Sequence, residues 1–372
     1  MIEYSNNYLI RRKIMNISEE VRPGANRYVS GQGILQDLES YLASFNKLAI
    51  ITGEKSFQVF QDFYPKDLSY PVFHYDGSAS IENGKKLAKE IGQSDGLLAI
   101  GGGRLIDTCK VVAQELNCEL IIIPTLVSNC APYTPVAALY HPDHTFDKVG
   151  YLNKVSYLTL VDYDFLLATP HDYFVAGIGD TLAKWYEMEG IVRQVSQEEL
   201  SASVRLGFAS AKEIFKILFA DSKAALNDLA EQKVTPAFGR VVDTIIELSG
   251  TVGGFAGTYG RMSGAHALHN GLSLCSETHP ILHGSKVAYG VLVQLAYTGD
   301  TSEIEKLLPF YKENHLPASL AEINLPFDLE KLQAVAKFAA SPVESYRLID
   351  SKVTDEKIIS AIKALEALVS KK

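Results

Sequence analysis

The sequence has few cysteines and no long apolar run, and both shortages limit the class of protein. Its 372 residues include four cysteines, which are scattered and form no Cys-x-x-Cys pair. This excludes a disulfide framework, and a chain of this length can bury a core without one. No stretch approaches the roughly 18 uninterrupted apolar residues of a transmembrane helix. The N-terminus also lacks the apolar core of a signal peptide, so we expect a cytoplasmic protein.

Positive charge is also in short supply. The chain has 35 Lys and Arg residues against 44 Asp and Glu residues, which gives a net charge of −9. Nucleic acids and anionic membranes bind basic surfaces, so neither is expected as a non-specific partner. At roughly 150 residues per domain, the length predicts about two domains. A small molecule is the expected ligand.

Short apolar runs alternate with helical patterns over the first 165 residues. This alternation predicts parallel strands joined by helices in a doubly wound sheet. The predicted strands are Leu48–Thr52, Val72–Tyr75, Leu97–Ile100, Leu120–Ile123 and Leu158–Val161. The predicted helices between them include Ile34–Phe45, Ile81–Ile91 and Leu105–Leu116.

The pattern changes twice further along the chain. Residues 136–155 alternate in polarity around a Pro-Asp turn, which predicts a β-hairpin. After about Pro170 the segments become long and helical, so we predict an α/β domain over 1–165 and a helical domain over 166–372. A ligand site is expected in the cleft between them. The predicted helices are Gly179–Gln194, Glu198–Phe219, Pro236–Tyr259, Val287–Tyr297, Glu303–Asn314, Leu329–Phe338 and Asp355–Leu368.

A glycine run follows one predicted strand. Gly101, Gly102 and Gly103 stand between the strand and a helix, where a backbone without Cβ atoms can approach a phosphate at the helix N-terminus. A plain tight turn is the alternative, and the Gly-Lys-Ser/Thr of an ATPase P-loop is missing. Glu54 ends another strand, where a carboxylate can hold a ribose or be a solvated surface group.

Four histidines fall within 18 residues: His266, His269, His279 and His283. His266 and His269, three residues apart, are predicted to share one helical face, as are His279 and His283 at four residues apart. A cluster this dense favours a metal site, although each histidine alone could be an ordinary surface or core residue. Asp180 is the best carboxylate candidate, with a role as an N-terminal helix cap as the alternative.

Several segments together resemble a known family. They are GGGRLIDTCK, IPTLVSNCAPYTPVAALY, GIGDTLAKWYE, HALHNGLS and HGSKVAYGVLVQ, in this order. The chain resembles the glycerol dehydrogenase branch of the iron-containing, metal-dependent alcohol dehydrogenases, and within it the hydroxycarboxylate dehydrogenase type. The resemblance implies an N-terminal Rossmann-like α/β domain and an all-α C-terminal domain, a fold shared with dehydroquinate synthase. It also implies NAD(P)-linked hydride transfer to a small carbonyl compound, and a homo-oligomer.

The resemblance also implies a metal site. Asp180, His266 and His283 occupy the ligand positions of its motifs, and His269 would lie near the reacting carbon as a proton relay. Lys184 replaces a histidine that is a fourth ligand in iron-type relatives. Three protein ligands favour zinc, with an open position for substrate.

The same resemblance assigns the dinucleotide. Gly102, Gly103 and Asp107 would lie near the pyrophosphate and nicotinamide. Glu54 stands where glycerol dehydrogenases hold the ribose with an aspartate, so NAD is expected in preference to NADP. The remaining predicted contacts are Thr125 and Ser128 on the adenine side and Thr134, Val136 and Tyr140 along the wall.

The chain departs from the glycerol dehydrogenase pattern at Cys130, where that pattern has an aspartate that touches substrate hydroxyls. A neutral thiol neither binds a polyol as a carboxylate does nor repels an anion. The expected substrate is therefore a 2-oxo or 2-hydroxy acid, with glycerol as the alternative. A lyase of the dehydroquinate synthase type is disfavoured, because Asp180 replaces its glutamate and the basic phosphate-binding set is missing. A non-catalytic metal- or nucleotide-binding protein is the other alternative.

Overall fold

The computed structural model describes residues 20–142 and 145–371. The N-terminal segment that bears on the signal-peptide prediction lies outside these ranges, as does the tip of the predicted hairpin. Among the helices in these ranges, none has both the length and the apolar character needed to cross a bilayer.

Six parallel strands form the sheet of the N-terminal part. The strands of the chain are β1 (Tyr28–Gly31), β2 (Leu48–Thr52), β3 (Val72–His74), β4 (Gly96–Gly101), β5 (Glu119–Pro124), β6 (Val136–Tyr140), β7 (Phe146–Tyr151) and β8 (Leu158–Asp162). The sheet order is β1-β8-β5-β4-β2-β3. The inner strands are almost completely buried because Leu, Ile and Val point to both faces. All five predicted strands are therefore confirmed, whereas β1 was not predicted because its sequence, YVSG, contains no apolar run.

The direction of the strand order reverses between β2 and β4. From β2 the chain adds β3 on one side, and it later adds β4, β5 and β8 on the other. In open parallel sheets, ligands bind beyond the carboxyl ends of the strands at such a point. Glu54 follows β2 and Gly102 follows β4, so the two segments predicted to bind the dinucleotide flank this crevice.

The predicted β-hairpin is confirmed as a separate two-stranded sheet. Strands β6 and β7 pair antiparallel, with an irregularity in register between Leu139 and Tyr140. Ala137 and Leu139 pack against Val111, a residue of the helix that follows the glycine run. The hairpin is thus held beside the expected phosphate loop.

Beyond Asp162 the described chain is helical, which confirms the α/β-then-helical fold class. The helices are α1 (Leu38–Leu42), α2 (Glu54–Phe63), α3 (Ile81–Ile91), α4 (Gly103–Leu116), α5 (Tyr163–Leu166), α6 (His171–Val192), α7 (Ala202–Ala230), α8 (Pro236–Asp243), α9 (Ser249–Ala256), α10 (Thr258–Arg261), α11 (Gly264–Leu272), α12 (His283–Thr298), α13 (Thr301–Glu313), α14 (Leu329–Ala339) and α15 (Asp355–Val369).

Three predicted helices were wrong as continuous elements. Glu198–Phe219 is divided into a 3-10 turn at Gln197–Glu199 and α7, which begins only at Ala202. Ile34–Phe45 is a 3-10 turn at Ile34–Asp37 followed by the short α1. Pro236–Tyr259 is divided into α8, a π-helical turn at Thr244–Leu248, α9 and the start of α10. The last break falls at Gly257, whose φ of 55° a glycine adopts without a Cβ penalty.

Helix α6 is the central helix of the helical part. It is buried on nearly all sides, as expected for a helix whose apolar residues surround its axis. It begins at His171 and not at the predicted Gly179. Its neighbours include α7, α11 and α12, and so it is the element against which the candidate site is built.

Candidate metal and dinucleotide site

Asp180 lies in the interior of α6. The alternative that it caps a helix N-terminus is therefore wrong, because α6 starts at His171. Glu187 follows Asp180 by seven residues, or about two turns, so both carboxylates lie on the same face of α6. Both side chains are buried. Buried carboxylates require cations or strong donors, and the donors here come from α11 and α12.

Asp180, His266 and His283 converge on one point. The Oδ1 atom of Asp180 lies 3.2 Å from Nε2 of His266 and 3.4 Å from Nε2 of His283. One ligand atom from each of the three residues lies within 4.8 Å of the others. The angles are not those of hydrogen bonds, so Asp180 Oδ1 is a buried oxygen without a hydrogen-bond partner among the described residues. A divalent cation at the shared point would satisfy it, and this donor set fits a three-ligand zinc site.

Glu187 orients His266 and also holds the start of α11. One carboxylate oxygen accepts hydrogen bonds from the backbone N–H groups of Ser263 at 2.7 Å and His266 at 2.9 Å. The other oxygen lies 2.7 Å from Nδ1 of His266. With the Nδ1 proton directed at Glu187, a cation bound beside Asp180 would displace the Nε2 proton of His266 and take up its lone pair, as a metal ligand requires. Burial lowers the pKa of His266, but the two carboxylates raise it to about 9.

A second chain of contacts orients His283. Its Nδ1 lies 3.0 Å from Nε2 of His269, and Nδ1 of His269 lies 3.0 Å from Oδ1 of Asn270. The amide nitrogen of Asn270 donates to both carboxylate oxygens of Glu344 at 3.2 Å. One assignment satisfies every contact: Asn270 accepts from His269, His269 accepts from His283, and His283 presents Nε2 to Asp180. Burial keeps the pKa of His269 well below its ordinary value, so this ring is neutral.

The structure separates two other residues from the ligand set. His279 precedes α12, is exposed and contacts the carbonyl oxygen of Ser273, so it shares no helical face with His283. Lys184 is buried on α6, and its Nζ atom donates to the carbonyl oxygen of Arg261 at 2.7 Å. Lys184 therefore supplies no fourth ligand, and the predicted set remains the three residues named above.

The glycine run lies at the carboxyl edge of the sheet, directly before α4. A Cβ atom on Gly102 would lie 2.9 Å from Leu126, and one on Gly103 would lie 2.8 Å from Asn129. The loop after β5 can therefore approach the glycine run closely only because residues 102 and 103 are both glycine. The free N–H groups at the start of α4 remain available to an anion. Glu54 is exposed at the start of α2, across the crevice.

Among the other predicted dinucleotide residues, Asp107 is already engaged by contacts within the protein. Asp107 is buried, accepts a hydrogen bond from Lys110 Nζ at 2.8 Å and accepts another from the backbone N–H of Ala138 at 3.0 Å. One oxygen thus ties α4 to the hairpin directly, and the other holds Lys110, whose Nζ also donates to the carbonyl oxygen of Val136 at 2.7 Å. Its contact with the dinucleotide stays a prediction. Around the same loop lie Thr125, Ser128, Thr134, Val136 and Tyr140.

Cys130 lies close to the candidate ligands. Burial raises the pKa of its thiol, the Lys184 ammonium lowers it and the Asp180 carboxylate raises it, so the thiol is within electrostatic reach of both groups. The net effect is a higher pKa, and the thiol is therefore neutral near pH 7. The position predicted to touch substrate is thus uncharged.

Comparison with known proteins agrees with this arrangement. Residues 25–163 match the family model described as iron-containing alcohol dehydrogenase. The chain is 33% identical to hydroxycarboxylate dehydrogenase A of Escherichia coli K12 over 92% of this chain and 96% of that protein. It is 32% identical to glycerol dehydrogenase of Thermotoga maritima, over 94% and 97% of the two chains. The chain belongs to the iron-containing alcohol dehydrogenase family.

A solved member of this family has the same fold. The crystal structure of a probable glycerol dehydrogenase from Sinorhizobium meliloti 1021 superimposes with a TM-score of 0.85 at 27% identity, covering 95% of this chain and all of that one. This iron-containing alcohol dehydrogenase is accordingly a metal-dependent, NAD(P)-linked oxidoreductase that acts on an alcohol or carbonyl compound.

Three residues of the site were not predicted from the sequence. Glu187 had a usable signal, because it follows Asp180 by seven residues within one predicted helix. Asn270 also had a usable signal, because it directly follows His269 in the HALHNGLS segment. Glu344 had none, since it lies between α14 and α15 and reaches the site only through tertiary packing.

Proposed function

We propose that this chain catalyses the reversible reduction of a small 2-oxo acid to the 2-hydroxy acid, with NADH and one zinc ion. The observation that carries the substrate class is Cys130, a neutral thiol beside Asp180 where the glycerol dehydrogenase pattern has an aspartate. Without that carboxylate, an anionic substrate meets less repulsion. Similarity to hydroxycarboxylate dehydrogenase A supports the same class.

Each residue of the site has a role in this proposal. When bound, the metal polarises the substrate carbonyl as a Lewis acid and the nicotinamide supplies the hydride. Asp180, His266 and His283 hold the metal, and Glu187 and His269 direct the two imidazoles. Both nitrogens of His269 are engaged, so its predicted role as proton relay requires that one of these contacts opens when substrate binds.

The dinucleotide is proposed to be NAD(H) and not NADP(H). Glu54 at the end of β2 would accept hydrogen bonds from ribose hydroxyls and repel a 2′-phosphate. The glycine run and the start of α4 would hold the pyrophosphate. The cytoplasmic location, the homo-oligomer and the division at residue 165 stay predictions.

Glycerol oxidation is the second candidate, and the named glycerol dehydrogenases among the relatives favour it. The two candidates differ in what position 130 must do. A polyol substrate gains from a carboxylate acceptor there, whereas a 2-oxo acid is repelled by one.

A substrate panel on the wild type, Cys130→Asp and Cys130→Ser tests the proposal. The panel contains 2-oxo acids, dihydroxyacetone and glycerol, with NAD(H) and NADP(H) side by side. We expect the wild type to reduce a 2-oxo acid most efficiently with NADH, Cys130→Asp to lose about tenfold or more of that kcat/KM, and the neutral Cys130→Ser to retain it. A wild type that prefers glycerol would refute the substrate class, and a preference for NADPH would refute the cofactor.

A further inference from the structure

Lys286 is a buried lysine without a partner. It lies in the first turn of α12 and is 6% exposed. In residues 20–142 and 145–371, no ion pair or hydrogen bond involves its ammonium group. Its Nζ atom is not among the unpaired buried atoms that are sealed from solvent, so it still reaches water. Lysines are rarely buried this far unless they are paired, so this one is arranged for a ligand.

A second cation, Arg104 of the N-terminal part, acts electrostatically on Lys286. Burial lowers the pKa of Lys286, Arg104 lowers it further and the Cys275 thiol acts in the opposite direction. Arg104 lies in the first turn of α4, with its guanidinium 5.7 Å from the centre of the Tyr140 ring. Two cations from opposite parts of the chain, with no carboxylate paired to Lys286 in the described residues, create a site for an anion.

Lys286 is also close to the candidate metal set. It follows His283 by three residues, so both side chains project from adjacent positions on one turn of α12. An anion bound by Lys286 would therefore lie beside the point where Asp180, His266 and His283 converge.

We propose that Lys286 binds the carboxylate of the 2-oxo acid. This inference rests on the proposed function, because it assigns a partner to the carboxylate of that substrate. The dinucleotide phosphates are the other source of an anion here. They have the helix N-terminus of α4 and Arg104 near the glycine run, whereas Lys286 belongs to the helix that carries His283.

The test compares full-length, zinc-loaded wild type with Lys286→Gln, Lys286→Met and Lys286→Arg. Lys363→Gln is the control, since it removes the same charge from an exposed position on α15. Pyruvate or 2-oxobutyrate, whichever the wild type reduces faster, is compared with hydroxyacetone, which has a neutral group in place of the carboxylate. Binding of NADH to the free enzyme and of oxamate to the enzyme–NADH complex is measured by fluorescence, independently of turnover.

We expect Lys286→Gln and Lys286→Met to raise the KM for the 2-oxo acid and the Kd for oxamate about 10- to 100-fold, the range for one lost hydrogen bond to a charged group. Hydroxyacetone reduction and NADH binding should stay within about threefold of wild type in the same variants. Lys286→Arg should recover part of the loss, and Lys363→Gln should show none. The variants should fold, because a buried unpaired charge is removed.

Three results would overturn the assignment. Equal losses for the 2-oxo acid and hydroxyacetone would give Lys286 a purely structural role. Weaker NADH binding with unchanged oxamate binding would assign it to a dinucleotide phosphate. Wild-type affinity for oxamate in Lys286→Gln would exclude any anion contact. If the wild type reduces no 2-oxo acid at all, the proposed function itself fails. If the wild type reduces 2-oxo acids and the Lys286 variants do so equally well, only the assignment of Lys286 fails.

Discussion

Glu187 joins α6 to α11 with both of its carboxylate oxygens. One oxygen accepts from two backbone N–H groups at the start of α11, and the other is paired with Nδ1 of His266. The same side chain therefore fixes where α11 begins and which nitrogen of His266 is free. A carboxylate is needed for both contacts, because an amide can offer only one acceptor oxygen.

Glu187→Gln is predicted to weaken zinc binding about 10- to 100-fold, because a metal-bound histidine loses its orienting carboxylate. Competition with a chromogenic chelator measures this affinity directly. Glu115→Gln, at an exposed position on α4, is the matched control. Unchanged affinity in Glu187→Gln would show that His266 does not need this partner.

Glu344 gives the site a dependence on pH. Burial raises the pKa of its carboxyl group from 4.5 to about 7, although the hydrogen bond from Asn270 lowers it. The folded protein thus keeps a proton that the unfolded chain releases above about pH 4.5, so this group destabilises the fold as pH rises from about 4.5 to 7. At pH 5 most of this cost is absent, and at pH 8 it is fully present.

Glu344→Gln removes this titration. We predict that the free energy of unfolding of the variant, relative to wild type, increases by about 2 kcal/mol between pH 5 and pH 8. Urea unfolding of the zinc-free proteins at the two pH values measures the difference. Parallel pH dependence in the two proteins would show that Glu344 is not buried as described.

At the scale of elements, the sequence predicts those whose pattern is local. The buried strands were found because Ile, Leu and Val on both faces leave an uninterrupted apolar run, as in Leu48–Thr52. The start of α6 was missed because its first turns, from His171 to Gly179, have no strong helical period. The break at Thr244–Leu248 was missed because a π-helical turn has no local sequence signal and depends on packing.

The contact between α6 and α12 decides whether the candidate ligands meet. A Cβ atom on Gly284 would overlap the carbonyl oxygen of Ala176 and would lie 3.0 Å from the Cβ atom of Asp180. The two helices therefore approach closely only because residue 284 is glycine. This approach brings His283, the first residue of α12, next to Asp180.

Gly284→Ala is predicted to push α12 away from α6. We expect the protein to lose about 1–3 kcal/mol of stability from overpacking, and zinc binding to weaken because His283 moves from Asp180. Urea unfolding and zinc titration measure the two effects. Gly253→Ala is the control and should change little, because its new methyl group would lie 3.3 Å from the flexible side chain of Arg261 and no closer than 3.7 Å to the backbone atoms near it.

At the scale of the whole molecule, a net charge of −9 coexists with a cationic crevice. Arg104, which follows the glycine run, acts electrostatically on Lys286 of the helical part. The global charge excludes polyanions as non-specific partners, whereas the local field is suited to a small anion. Local placement of charge thus determines the ligand, and composition alone does not.

The site was predictable only where its residues lie in recognisable segments. Asp180, His266 and His283 come from three such segments, and the fold brings their ligand atoms within 4.8 Å. Glu344 and Arg104 could not be placed from the sequence, because their positions depend on how distant elements pack. Specificity therefore depends on residues that only the folded chain brings together.

Removal and replacement of the metal tests whether a zinc ion held by Asp180, His266 and His283 is required for 2-oxo acid reduction. NADH oxidation with a 2-oxo acid is followed in the enzyme as purified, after complete chelation, and after addition of one equivalent of zinc. We expect activity to be lost on chelation and restored by zinc, because the Asp180–His266–His283 set is then filled again. Full 2-oxo acid reduction by metal-free enzyme, verified by metal analysis, would contradict this expectation.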